Sequence, residues 1–587
     1  MRAPTQGLCK GCSCAGERSH RTGSYRVGHT QVKACGRDVV SPPHITISRM
    51  DRIVCWLQSS LQRIFPSTPA PVPQATPAID LIAARNERVS FQACVQNLGF
   101  DAAEVKVSVL DSPGLDITVR RVGYVPMAHH NTGTPAEELD GRGCIPGMVP
   151  DPLLPGNVTV LGPVESQSFW VTVNITAETE PGIYELAVRF EQQSITIAQL
   201  TVPLAVRSPV VQERRDFPVT HWFYADALCD WYNVEPFDKK FWALAEPYLA
   251  NLGSHGIDCR YVPIFTPPTD GVKRPTQLLK ISEPMRGQYW FDFSEVRHWT
   301  RLAQQHGART FEWTHLFTQW GARYAIRVYR NTRNADSLLW PPETEATSRV
   351  YRNFLEQFLP AFHTFLQLEG LEDKSIYHVS DEPGEQHLPG YRAARAMLQD
   401  LAPWMKVADA LSDVEFGREG LTDIPIPSIS TAHAYAEANL PAWVYFCCGP
   451  RGQFLNRLMD TPLAKIRLSG WLFYRLHARG FLHWGYNYWY KSQTQELIDP
   501  FTEQSGMAWP GWAYGDPFVV YPGDDGPLDS IRWEVFAESL RDYALLQTLG
   551  ISPDDASLDE LKGYDEFPKG EQWVAQTRRS LLDRVTR

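Results

Sequence analysis

The stretch KKFWALAEPYLANLGSHGIDCRYVPIF (239–265) carries two periods in one segment. Over 239–256, apolar residues recur at the three-to-four spacing of one helix face. Over 257–265 comes a short apolar run of strand length. A helix that feeds a short apolar strand is half of a βα repeat. The fold turns on whether the repeat continues.

It continues on both sides. Candidate strands are PVTHWFY (218–224), IDCRYVPIF (257–265), ARTFEWTHLF (308–317), SIYHVSD (375–381), KVADALS (406–412), IPSIST (426–431), WVYFCC (443–448) and GFLHWGYNYW (480–489). Amphipathic helical patterns lie between several of them, including SRVYRNFLEQFLPAFHTFLQLEG (348–370) and GYRAARAMLQDLAP (390–403). Eight strands over about 330 residues fit a (β/α)8 TIM-type barrel with insertions. A doubly wound open sheet is the alternative. It is disfavoured because no Gly-rich phosphate loop follows the first strand.

Upstream the period is two. IDLIAARNERVSFQACVQN (79–97) and EVKVSVLD (104–111) alternate apolar and polar residues, and the segment 166–208 reads as three more strands with Pro181-Gly182 as a turn. The predicted fold is therefore multidomain, β plus α/β, with an N-terminal β-sandwich before the barrel. The predicted boundaries are 61–209 for the sandwich, 210–549 for the catalytic barrel and 550–587 for a helical C-terminal tail. Residues 1–60 read as disordered or as an upstream extension, and PSTPAPVPQATPA (66–78) as an extended Pro-rich segment. No standard secretory signal is visible, so the cytoplasm is the default compartment.

Composition narrows the partners. The chain has 587 residues, with 56 basic against 67 acidic, for a net charge of −11. That balance argues against nucleic acid. No apolar run is long enough for a membrane span, so membrane insertion is not expected. Nineteen Trp, 23 Tyr and 27 Phe supply flat faces that suit sugar rings, although a Trp-rich core would use them equally. Cys9, Cys12, Cys14 and Cys35 have irregular spacing and no flanking strand or helix pattern, so no metal site is expected.

A barrel places its active site at the C-terminal strand ends. The fourth candidate strand ends in Asp381 and Glu382, followed by Pro383 and Gly384. Adjacent strand residues point to opposite faces, so both acids reach one ligand only if the chain bends there. Pro383 favours an extended Glu382. The alternative is that the pair caps the following helix. Two-sided glycoside hydrolysis needs carboxyls flanking the scissile bond, at about 5–5.5 Å or 6.5–9.5 Å. Sequence neighbours seldom meet that geometry. They suit a substrate-assisted scheme, in which a 2-acetamido carbonyl attacks the anomeric carbon. Glu382 would then protonate the leaving oxygen, held in its acid form by burial and its anionic neighbour. Asp381 would orient the amide and stabilise an oxazolinium-like cation. Such a reaction needs neither metal nor cofactor. Further candidates for sugar contacts at strand ends are Trp484, Tyr486, Asn487, Tyr445, Trp313, His315, His221, Trp489 and Asp516. His378 reads as an interior histidine, and Cys447–Cys448 as core.

ARNERVSFQ (84–92), EPGIYELAV (180–188), HVSDEP (378–383), GFLHWGYNYW (480–489) and GDPFVVYPGDDGPLDSIRWEVFAESLRDYALL (515–546) occur in that order. Together they resemble glycoside hydrolase family 123 and the wider uncharacterised domain group around it. The resemblance spans about residues 79–549. It implies a sandwich-plus-barrel fold, a β-N-acetylgalactosaminidase acting on a glycan or glycoconjugate, and substrate-assisted retention. By the same resemblance Asp381 is the stabiliser and Glu382 the acid/base. Three alternatives stay open: a β-N-acetylglucosaminidase, a glycosidase using a distant carboxylate such as Glu312 or Asp413, and a non-catalytic carbohydrate-binding protein. Neither the oligomeric state nor the natural glycan is legible.

Overall fold

The computed structural model describes residues 46–47, 52–72, 79–110, 112–267 and 273–585. The four N-terminal cysteines, most of the predicted extension and the end of the Pro-rich segment lie outside the described residues.

Two largely antiparallel sheets come first. One has the order β1 (Thr46–Ile47), β2 (Ile53–Ser59), β4 (Glu87–Asn97), β9 (Ser166–Ile175), β6 (Leu115–Met127), β7 (Gly147–Leu154). The other has β3 (Leu81–Arg85), β11 (Ile195–Val210), β10 (Gly182–Gln192), β5 (Ala103–Val109), β8 (Val158–Leu161). Strand alternation explains the packing. In β5, Ala103, Val105 and Val107 are buried while Glu104 and Lys106 are exposed. Phe91, Val95, Phe169 and Val171 of the first sheet share one apolar cluster with Val107, Leu186, Val188 and Leu204 of the second. The sheets begin earlier than the sequence suggests. Ile53–Ser59 is a strand paired in full register with β4, and Ile53, Val54, Cys55 and Trp56 are buried. The prediction of disorder up to residue 60 is corrected there: this apolar run is half-wrapped by core and is not a tail.

The remaining chain alternates strands and helices. Six strands form one parallel sheet, in the order β17 (Ser375–Ile376), β16 (Thr310–Trp313), β13 (Cys259–Val262), β12 (Val219–His221), β21 (Phe481–His483), β20 (Val444–Tyr445). Strands β18 (Ala408–Ala410) and β19 (Ile424–Ile426) pair in parallel with each other. Single parallel bridges continue the pattern, Tyr377 to Val407 on one side and Ser428 to Tyr445 on the other. The parallel pairings thus lead through all eight segments and back to β12. Two hairpins absent from the sequence reading are inserted, β14 (Lys280–Met285) with β15 (Gln288–Asp292), and β22 (Val520–Pro522) with β23 (Pro527–Asp529).

Helices α1 (Ala225–Trp231), α2 (Lys239–Ser254), α3 (Ser294–Gln305), α4 (Arg349–Glu369), α5 (Leu388–Leu401), α6 (Val414–Arg418), α7 (Ala432–Glu437), α8 (Leu463–Arg467) and α9 (Ser469–Arg475) lie between the strands, and α10 (Ile531–Thr548) and α11 (Glu571–Val585) close the chain. The largest, α4, starts at Ser348, whose hydroxyl accepts from Tyr351 N, and stops at Gly370 with φ 66°. Its buried stripe of Tyr351, Phe354, Phe358, Phe362 and Phe365 has helix-face spacing.

Helix α10 joins the two parts. Fully buried Arg532 forms a fork to Asp151 of β7, Nε to Oδ1 at 2.8 Å and Nη2 to Oδ2 at 2.9 Å. Glu534 accepts from Arg120 of β6 at 2.6 Å. In the C-terminal segment, Arg578 of α11 reaches both Glu87 of β4 and Asp542 of α10. No helix among the described residues is long and apolar enough to cross a membrane.

Candidate active site

The parallel strands put their C-terminal ends on one side. A cleft of about 240 Å3 opens there, walled by Trp222, Gln319, Trp320, Asp381, Glu382, Tyr445, Trp484, Tyr488, Trp512 and Asp516, among others. Trp222 follows β12, Asp381 and Glu382 follow β17, Tyr445 ends β20, and Trp484 follows β21.

The acidic pair sits on a bend. Glu382 has φ 42°, in the left-handed region that a non-glycine residue rarely occupies. The expected extended Glu382 is therefore corrected: Pro383 does not hold it in the β region. Strain of this kind persists when its surroundings over-determine it, and here they do. Trp320 N donates to Asp381 O at 2.9 Å, and Gly321 N and Ala322 N both donate to Ser380 Oγ at 3.2 Å. On the far side Gly384 N donates to His387 Nδ1. The bend turns both acids into the cleft. Half-buried Asp381 accepts from Gln319 Nε2 at 3.1 Å. The Tyr445 hydroxyl donates to Glu382 Oε1 at 2.6 Å. Glu382, expected to be buried, is exposed.

Opposite the pair, Trp484 presents a half-buried indole whose Nε1 donates to Asp516 Oδ2 at 2.9 Å. Trp512 and Tyr488 pack edge-on against it. His483 Nδ1 accepts from Gly485 N, so the ring hydrogen belongs on Nε2, 3.4 Å from Asp516 Oδ1. Burial lowers the His483 pKa to about 4 against the opposing pull of Asp516, so the ring is neutral at ordinary pH. Cys447 and Cys448 are half-buried in the cleft wall instead of the core.

Beneath the acids lies a second polar layer. His378 Nε2 is 2.8 Å from Glu312 Oε1, and its Nδ1 is 3.2 Å from Asp409 Oδ1. Both partners are carboxylates that only accept when ionised, so the ring donates from both nitrogens as an imidazolium. Burial opposes that charge, but the hydrogen bonds to Asp409 and Glu312 prevail and raise its pKa to about 10. Glu312 also accepts from Thr220 and from Trp222 Nε1 at 2.7 Å. Asp409 accepts from Tyr391 at 2.6 Å and from Val379 N. This layer fixes the indole of Trp222 in the cleft and the backbone two residues before Asp381.

Of the eleven candidate site residues, Asp381, Glu382, Tyr445, Trp484 and Asp516 meet in this cleft. The other six do not. Tyr486 is buried and donates to Asn251 on α2 at 2.9 Å. Asn487 clamps the backbone of Tyr224 with both amide atoms. Trp489 is buried and donates to Val520 O. Strand β21 ends at His483, so strand alternation does not govern these residues. Trp313 points toward the α4 side, bonded to Ser375 Oγ and edge-on to Phe362. His315 is buried one layer down, stacked on His378 with ring centres 4.4 Å apart. His221 is buried and accepts from Arg457 at 2.9 Å. Sequence reasoning missed Gln319, Trp320 and Trp512. They sit on long loops, where only an exposed aromatic beyond a strand end could have flagged them.

Comparison with known proteins gives the following. Residues 222–549 match the family model for the glycoside hydrolase 123 catalytic domain. A family 123 glycoside hydrolase from Clostridium perfringens, studied for glycolipid glycan hydrolysis, superposes with a TM-score of 0.68 at 14% identity, covering 91% of this chain and 97% of that one. A GH5 xyloglucanase from Bacteroides ovatus reaches a TM-score of only 0.27 at 8% identity, over 80% of this chain and 98% of that one, and carries no weight. No curated protein matches the chain.

Proposed function

The chain belongs to glycoside hydrolase family 123, and from that premise we propose that it releases β-linked N-acetylgalactosamine by a retaining, substrate-assisted mechanism. The observation that carries the proposal is the placement of two adjacent carboxylates, Asp381 and Glu382, on one wall of a single cleft. The third carboxylate of the wall, Asp516, is buried and engaged by Trp484 and His483. That leaves no open carboxylate facing the pair among the described residues of the wall. The nucleophile is then the substrate's own acetamide oxygen, a named exception to the two-sided scheme.

In this reading Glu382 delivers its proton to the glycosidic oxygen as the C1–O bond breaks. The acetamide oxygen forms a new bond to C1 on the opposite face. Asp381, oriented by Gln319, accepts the amide N–H and offsets the charge of the oxazolinium. The Glu382 carboxylate then takes a proton from water as that water attacks C1, which restores the β configuration and the free acetamide. Trp484 is the platform for the sugar ring, and Tyr445, near Glu382, is the hydroxyl that meets the acetamide. The eight-segment ring of parallel pairings supports a (β/α)8 barrel over 210–549. The two apposed sheets support a β-sandwich ahead of it.

Two observations weigh against the distant-carboxylate alternative. Glu312 is fully buried and bonded to three donors, and Asp413 caps α6 through Glu415 N. A panel of 4-nitrophenyl β-glycosides tests the proposal. Cleavage of the 2-acetamido galactoside, with slower cleavage of the gluco epimer and none of the 2-hydroxy galactoside, is the expected result. Preference for the gluco epimer reassigns the sugar, and preference for the 2-hydroxy compound removes the mechanism. Binding without turnover removes the enzyme.

A further inference from the structure

A second groove, of about 800 Å3, adjoins the cleft and shares the Gln319 and Trp320 side chains with it. Its charge differs from that of the cleft. Arg323 and Arg327 line it, with Glu343 as the carboxylate of its wall. Nearby Arg330 pairs with Glu283 and Arg333 with Glu235. Among the described residues, neither Arg323 nor Arg327 has a carboxylate partner. Arg323 lies over the Tyr324 ring at 5.0 Å, which holds the guanidinium without neutralising it. Lys273 also lines the groove, but its ammonium is engaged by the Tyr488 hydroxyl.

The wall between groove and cleft is held rigidly. Trp320, Gly321 and Ala322 have φ values of 53°, 104° and 56°, and their backbone is bonded to Asp381 and Ser380. A Cβ at Gly321 would collide with the His387 side chain, 2.3 Å from its Cβ and 2.6 Å from its ring Cγ. This turn leaves Trp320 47% exposed, with its backbone bonded to Asp381, the residue before the one proposed as the acid.

We propose that the groove receives the leaving group, and that the protein favours substrates in which the sugar next to the released one carries an anion, a carboxylate or a sulfate ester. Trp320 stacks that sugar, and Arg323 and Arg327 bind its anion, since guanidinium presents donors in a fork that matches planar or tetrahedral oxyanions. The inference rests on the reaction proposed above and adds the class of the adjoining sugar to it.

The test uses disaccharides of N-acetylgalactosamine β-linked to glucose, to glucuronic acid and to glucose 6-sulfate, which differ only at the C6 group. Wild-type kcat/KM is expected to favour at least one charged disaccharide over the neutral one by about tenfold at low salt, with the preference shrinking at about 0.5 M salt. Preference for the uronate alone identifies a carboxylate, and preference for the sulfated sugar alone identifies a sulfate ester. In the double variant Arg323→Gln/Arg327→Gln the charged and neutral rates should converge. Equal rates in the wild type, faster cleavage of the neutral disaccharide, or equal loss on all three in the double variant overturns the proposal. The 4-nitrophenyl N-acetylgalactosaminide separates the two readings, because its cleavage tests the reaction without the groove. If it is not cleaved, calorimetric titration with the three disaccharides decides. Tighter binding of a charged one that is lost in the double variant upholds the groove, and equal affinities overturn it.

Discussion

Replacing His378 by glutamine should remove a pH-dependent share of the protein's stability. The ring is buried between Glu312 and Asp409, and these contacts raise its pKa from 6.5 to about 10 against the cost of burial. A group whose pKa rises on folding stabilises the fold fully below its unfolded value and loses that contribution as pH climbs toward the folded one. The rise from 6.5 to about 10 corresponds to about 5 kcal/mol below pH 6.5. By the same linkage about 1 kcal/mol remains near pH 9. The wild type should therefore lose about 3–4 kcal/mol from this group across that window, with a slope near one proton. At about 2 cal/mol/K of unfolding entropy per residue, that is a fall in Tm of about 3 °C. Thermal unfolding followed by calorimetry between pH 6 and pH 9 reads it. The glutamine variant should be less stable at pH 6 and should lack this slope. Parallel curves for the two proteins would refute an imidazolium shared by Glu312 and Asp409.

Other consequences concern the acids and the joint between the two parts. Glu382→Gln should lower kcat/KM on substrates with poor leaving groups by about 10²–10⁴-fold, and much less on activated aryl glycosides that need no proton. Asp381→Asn should cost about 10²–10³-fold in kcat, because the cation at the anomeric centre loses its charged partner. Steady-state kinetics on paired substrates checks both, and near-normal turnover in the Asp381 variant would be a contrary result. Asp151→Ala should destabilise by about 3–5 kcal/mol, because it leaves Arg532 buried without its carboxylate. Denaturant titration measures that loss, and a change under about 1 kcal/mol would deny the ion pair its role.

The alternation of strand and helix was legible where each strand is a short apolar run next to a clear helix, as in residues 239–265. It failed at β19. There Ile424–Ile426 pairs with β18, while the reading placed a strand at 426–431, because the run IPIPSIST offers no alternation to fix its ends. The carboxylate pair was legible from its place at a strand end. Its bend was not, because the positive φ of Glu382 comes from contacts with residues about sixty positions away in sequence, through Trp320, Gly321 and Ala322. Tyr486 and Trp489, farther beyond β21 than Trp484, lie outside the cleft for a related reason. Beyond His483 the chain packs Gly485 against the Asp516 carbonyl, where a Cβ would lie at 2.3 Å, and period two no longer tells which side faces the cleft. The layer of Glu312, His378 and Asp409 was visible only as isolated polar letters in three apolar strands. What joins them is the parallel pairing of those strands.

The central claim is that the substrate's acetamide supplies the nucleophile. Hydrolysis of 4-nitrophenyl N-acyl-β-galactosaminides with acetyl, fluoroacetyl, difluoroacetyl and trifluoroacetyl groups tests it most directly, since each fluorine weakens the carbonyl oxygen as a nucleophile with little change in size. kcat/KM should fall steeply and in order along the series, with the β-hemiacetal as first product by NMR. Rates that stay level along the series, or an α-configured first product, would contradict it.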